Sequence, residues 1–204
     1  MYTKKITGII LAVAMSLMVA SCGIANAGDN DNVVQTNLTG TADEVLEQIL
    51  ADLQESGEHM PMALPPTGVT GDLSQNAIGL STEDFDKLVD SAFYSMAAIA
   101  TFAHQIIIIK AIDAAAAAEI KKLVSSENGY DALKWICVRP DSAVVIDSGE
   151  YVMIAVSYNE VVNAALAAFE AAAGNTGESV KFFEHVDDGS GAGPGGGMGL
   201  ITIG

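Results

Sequence analysis

The residue of this chain best placed to do chemistry is Cys22. It follows Val19-Ala20-Ser21 at the end of a run of apolar and small residues from Ile6 to Ala20, itself preceded by Lys4 and Lys5. A thiol behind a small-residue triplet can accept a lipid, with the chain cut between Ser21 and Cys22. The apolar run is shorter than the roughly 20 residues a membrane-spanning helix needs, so it reads as the core of a signal peptide over residues 1–21. A diacylglyceryl group on Cys22 would hold the chain firmly: each buried methylene contributes about 0.8 kcal/mol, and two acyl chains succeed where one is marginal. Ala25-Asn26-Ala27 is a competing small-x-small signal, and cutting there would release a secreted chain starting at Gly28.

Other chemistries have weaker carriers. Cys137, in the apolar stretch Trp135-Ile136-Cys137-Val138, is the only thiol besides Cys22, so an acylated chain has no partner for an internal disulfide and must rely on a packed core. His59, His104 and His185 stand far apart. Only Glu184-His185 with Asp187-Asp188 sets cation ligands side by side, and at the edge of the glycine-rich tail they read as a solvated acidic turn. Asp29-Asn30-Asp31-Asn32 starts like a calcium loop but lacks its sixth-position glycine and twelfth-position glutamate. Gly191-Ala192-Gly193-Pro194-Gly195-Gly196 matches the dinucleotide pattern in letters alone, with no strand before it and a proline inside it. No catalytic residues, metal site or cofactor are therefore assigned, and the expectation is a protein that is not an enzyme.

Charge narrows the partners. The chain carries 9 Lys and Arg against 26 Asp and Glu, a formal net charge of −17. Cleavage before Cys22 would remove Lys4 and Lys5 and no acid, leaving it more negative still. Such a field repels nucleic acid and anionic headgroups. The expected partners are the bilayer, through acylated Cys22, and an envelope protein or peptide.

These features need elements to hold them. Residues 22–40 are polar and lack periodicity beyond the first few positions, as expected of a flexible tether. Thr41-Ala42-Asp43-Glu44 is a capping box, and Val45, Leu46, Ile49, Leu50 and Leu53 recur at helical spacing, predicting an N-terminal amphipathic helix over 42–55. Pro61, Pro65, Pro66, Gly68 and Gly71 mark residues 58–80 as a loop. Ser81-Thr82-Glu83-Asp84 opens a short helix. Residues 92–99 and 105–112 then read as paired strands, the second carrying the β-branched run Ile106 to Ile109. Asp113 caps a helix to Val124, and residues 143–147 and 151–157 form a second hairpin around Ser148-Gly149. A last helix carries Val162, Ala165, Leu166 and Phe169 and ends at Gly174. The predicted fold is α+β: a four-stranded antiparallel sheet (ββαββα) with helices on one face, filling residues 41–175 with its core at 81–173. Residues 176–204, Gly-rich from Gly189, are expected to form a disordered tail, with Phe182, Phe183 and His185 docking locally before it.

The tetrapeptide Val19-Ala20-Ser21-Cys22 resembles the lipobox of bacterial lipoproteins. The order of Ile78-Gly79-Leu80-Ser81-Thr82-Glu83-Asp84, then Gln105 to Asp113, then Gly149-Glu150-Tyr151-Val152, then the Val161 to Phe169 helix resembles a family of small bacterial lipoproteins known only as a domain of unknown function. The likeness spans about residues 76–173 and departs from the family between Asp113 and Gly149, a segment that is short here and lacks the aromatic-x-proline element. It implies a location on the outer face of the cell membrane and a fold, and it brings no catalytic residues.

Both faces of the predicted strands are apolar. Val152, Ile154 and Val156 alternate with Tyr151, Met153 and Ala155, and Phe93, Ala97 and Ile99 with Tyr94, Met96 and Ala98. A sheet with helices on one face should be polar on the other. Either the 42–55 helix or the 58–80 loop covers the second face, or Tyr94, Met96, Tyr151 and Met153 form a candidate interaction face for a partner. The expected function is thus a membrane-anchored extracytoplasmic lipoprotein with a non-catalytic binding or envelope-interaction role. Solute capture for a transporter is the alternative.

Overall fold

The computed structural model describes residues 35–57, 60–135 and 138–185. The predicted signal peptide with Ser21 and Cys22, most of the tether, His59, Cys137, Asp187, Asp188 and the Gly-rich segment lie outside the described residues.

Helix α1 (Ala42–Glu55) starts where the Thr41 backbone N–H donates to the Glu44 carboxylate at 2.9 Å, and it buries Ala42, Val45, Leu46, Ile49 and Leu53 on one stripe. The proline-rich stretch that follows holds a two-residue strand, β1 (Thr67–Gly68), a short helix α2 (Ser74–Ile78) and α3 (Thr82–Leu88), whose first turn is capped by the Ser81 hydroxyl accepting from Asp84 N–H at 3.1 Å. Strands β2 (Val89–Met96) and β3 (Gln105–Ala111) pair antiparallel. Helix α4 (Ala114–Val124) begins where the Asp113 carboxylate accepts from Ala116 N–H at 2.7 Å. Strands β4 (Ser142–Ser148) and β5 (Tyr151–Ser157) form the second hairpin, turning at Gly149 with φ 56°. Helix α5 (Asn159–Ala173) and an edge strand β6 (Val180–Glu184) complete the described chain.

The architecture is α+β, an open antiparallel sheet with helices. The sheet has six strands rather than the predicted four, in the order β1-β2-β3-β5-β4-β6. The outermost two escape sequence patterning: β1 is two residues long and Pro65 and Pro66 precede it, and β6 is five residues long, mostly exposed, and made into a strand by pairing with β4. The predicted tail therefore contributes structure up to residue 185. At the other end of the domain, Leu38 is buried and Asn37 N–H donates to the Ala173 carbonyl at 2.8 Å, so residues 35–40 of the predicted tether belong to the folded unit.

The helices cover both faces, not one. Ile107, Ile109, Val152, Ile154 and Val156 pack against α4 together with Ile78, Leu80 and Leu88, while Ile106, Ile108, Tyr151, Met153 and Ala155 pack against α1 and α5. Connection geometry requires this. The β3–α4–β4 and β5–α5–β6 segments are both crossovers that step over one intervening strand in the same direction across the sheet. Their starting strands β3 and β5 run antiparallel, so two crossovers of the usual right hand must place their helices on opposite faces.

Candidate functional site

The four residues of the predicted interaction face do not share a face. Met153 and Tyr151 lie fully beneath α1 and α5. The Tyr151 hydroxyl donates to the Gly40 carbonyl at 2.8 Å. Tyr94 and Met96 lie on the α4 face, half-buried. A register of one residue decides this: Tyr94 sits opposite Ile107 and Phe93 opposite Ile108, so it is Phe93 that shares a face with Met153. The sheet therefore offers no continuous docking surface through these residues.

Tyr94 and Met96 instead wall a cleft of about 290 Å3, together with Leu73, Asn76, Ala77, Gln105, Lys134 and Trp135. It forms where α2, the ends of β2 and β3, and the loop after α4 meet. Gly79 makes this meeting close. It ends α2 at φ 78°, a left-handed cap that favours glycine, and a methyl group there would overlap the backbone of Gly129 and Tyr130. Replacing Gly79 by alanine is expected to cost about 1–2 kcal/mol for the backbone conformation alone, and more through that overlap. Urea unfolding would measure it; an unchanged midpoint would show that α2 can shift away from the loop.

The cleft wall is held by polar contacts. Buried Tyr130 donates its hydroxyl to Gln105 Oε1 at 2.7 Å, and Gln105 Nε2 donates to the Ala77 carbonyl at 3.4 Å. Burial holds the Tyr130 phenol protonated far above its ordinary range, with the Asp131 charge adding to the effect. Lys134 Nζ donates to the carbonyls of Asn76 at 3.0 Å and Ala77 at 3.4 Å, near the C-terminal end of α2, and stands 4.3 Å from the centre of the Tyr130 ring. Its pKa is lowered to about 8 by burial, against the opposing pull of Asp131. No carboxylate among the described residues lies within ion-pair distance of it. The other lysine beside a surface hollow, Lys110, is paired with Glu150 at 3.3 Å.

The remaining sequence candidates separate. His104 gains a partner that its sequence neighbourhood did not suggest: its Nδ1 lies 3.1 Å from the Ser157 hydroxyl, across the β3–β5 pair. Both side chains are completely buried and His104 Nε2 has no partner among the described residues, so this pair presents no nucleophile to a substrate. His185 is tied through its backbone to the Asp141 carbonyl at 2.7 Å. Among the described residues no three His, Cys, Asp or Glu side chains gather as metal ligands, and no helix is long and apolar enough to cross a membrane.

Sequence reading had named Tyr94 and Met96 but missed Leu73, Asn76, Gln105, Lys134 and Trp135. The one available signal was Lys134-Trp135, a cation beside the chain's single tryptophan between an apolar helix and a strand. Comparison with protein-family models, with curated proteins and with solved structures finds no match for this chain.

Proposed function

We propose that the protein is a lipoprotein of the outer face of a bacterial membrane, anchored by acylated Cys22, whose globular domain has a non-catalytic binding role. The anchor rests on Val19-Ala20-Ser21-Cys22 following a lysine-flanked apolar run. Membership of the small lipoprotein family is part of the same proposal and rests on the ordered segments between Ile78 and Phe169.

The binding role is carried by one observation, the cleft between α2, β2, β3 and the Lys134 loop. It favours a small ligand over a protein docked on the sheet, because both sheet faces are occupied by the chain's own helices. Solute capture for a transporter is the form of this role that a small cleft suits best. Replacing Cys22 by alanine is expected to move the protein from the membrane fraction to the soluble or secreted one, with loss of the lipid mass on intact-protein mass spectrometry. A variant that stays membrane-bound at unchanged mass would sink the anchor.

A further inference from the structure

We propose that the cleft binds a small organic monoanion with a compact apolar or aromatic body, its carboxylate held by Lys134 and its body lying against Leu73, Tyr94, Met96 and Trp135. This deepens the binding role proposed above and rests on it.

Charge selects the anion. The chain has 26 acidic side chains, yet among the described residues none lines the cleft, where Lys134 is the charged wall residue. Its ammonium group has donors for three bonds, and the Asn76 and Ala77 carbonyls take two of them. A carboxylate accepting the third would form a charge-assisted bond at a half-buried site, where screening by water is weak. Beside it, the Trp135 indole N–H is buried and has no acceptor among the described residues. Such groups are seldom left unmatched in folded proteins.

Shape selects the body. Leu73 is half-exposed at the wall, and Tyr94 and Met96 offer a flat ring and an adaptable thioether. At about 290 Å3 the space is at the lower edge of the range for small-molecule sites, which suits the body of an aromatic carboxylate. The groups that face Lys134 are Asp131 and Tyr130 on its own loop, the two α2 carbonyls, and Trp135 beside it; Tyr94 and Gln105 supply the strand side. Because the Lys134 pKa is lowered to about 8, its cation, and with it the affinity for an anion, should fade as pH rises through that value, well before an ordinary lysine would lose its charge.

The single tryptophan provides the readout. Phenylacetate titrated into the full-length protein should change Trp135 emission saturably, with phenylacetamide and phenethylamine at least about tenfold weaker, a difference that reports the charge and not the ring. Lys134→Gln should weaken phenylacetate about tenfold, and Lys134→Arg should retain most of the affinity. Since Lys134 also holds the end of α2, circular dichroism must show that the Gln variant is folded. Leu73→Glu, at a half-exposed position, should weaken phenylacetate through repulsion without touching the core. If phenethylamine or phenylacetamide binds as well as phenylacetate, or folded Lys134→Gln binds it undiminished, the anion assignment is overturned while the binding role stands. If no probe of either charge changes the emission, both fall.

Discussion

Met153→Glu should destabilise the domain by several kcal/mol. Met153 is fully buried between β3 and β4, opposite Ile108 and Ile146, and is roofed by α1 and α5. A carboxylate there has no cation within the surrounding cluster of Ile, Leu, Val and Phe side chains. Leaving a buried charge uncompensated costs on the order of 3–5 kcal/mol, a large share of the 5–15 kcal/mol that holds a typical domain folded. Met96→Glu makes the comparison. Met96 lines the open cleft, so the same charge stays near water and beside Lys134, and stability should change little. Urea unfolding followed by circular dichroism would measure both. Equal, small effects would mean that α1 and α5 do not cover this face.

The second large effect is a loss of stability in acid. Desolvation lowers the His104 pKa from 6.5 to about 4, because its ring is fully buried. The folded state therefore keeps the ring neutral over a range in which the unfolded chain binds a proton. Between about pH 6.5 and 4 the unfolded state holds more protons, so stability falls as pH falls, with a total on the order of 3 kcal/mol from this group. Above pH 6.5 both states are neutral and the contribution is flat. Carboxylates titrate in the lower part of this window, so the comparison with His104→Gln isolates the histidine. The wild-type protein should lose stability relative to the variant from pH 6.5 downwards; a constant difference between them would show that the ring is not held neutral.

Sequence patterning carried the interior of this fold further than its edges. The capping residues Thr41, Ser81 and Asp113 and the stripe Val45, Leu46, Ile49 and Leu53 declare their helices through local chemistry. The four-isoleucine run of β3 and the doubly apolar β5 declare strands covered on both sides. What alternation alone could not assign was which element covers which face. Without β6, α5 has no return to the sheet, and nothing in its sequence obliges it to lie opposite α4. Val180 to Glu184 is short and mostly exposed and stands just before a glycine-rich stretch; it becomes a strand through its partner β4 and through Phe182, whose ring meets Tyr130 edge-on at 6.0 Å. The cleft was hidden for a related reason. Its walls come from positions as far apart as Leu73 and Trp135, joined by the left-handed turn at Gly79 and by Lys134 reaching the end of α2. No local pattern records a contact of that kind.

The way in which residues 35–40 are fastened gives the domain a direction. The Gly40 carbonyl accepts from Lys110 Nζ at 2.9 Å and from the Tyr151 hydroxyl, and Asn37 is tied to the last turn of α5. These contacts gather at the end of β3 marked by Lys110, whereas Gln105, in the cleft wall, begins the same strand. At about 3.4 Å per residue, a strand of this length sets the two ends nearly 20 Å apart. The fastening of residues 35–40 and the cleft wall thus stand at opposite ends of β3, so a change that loosens the first, such as Lys110→Ala, should leave the walls of the second in place.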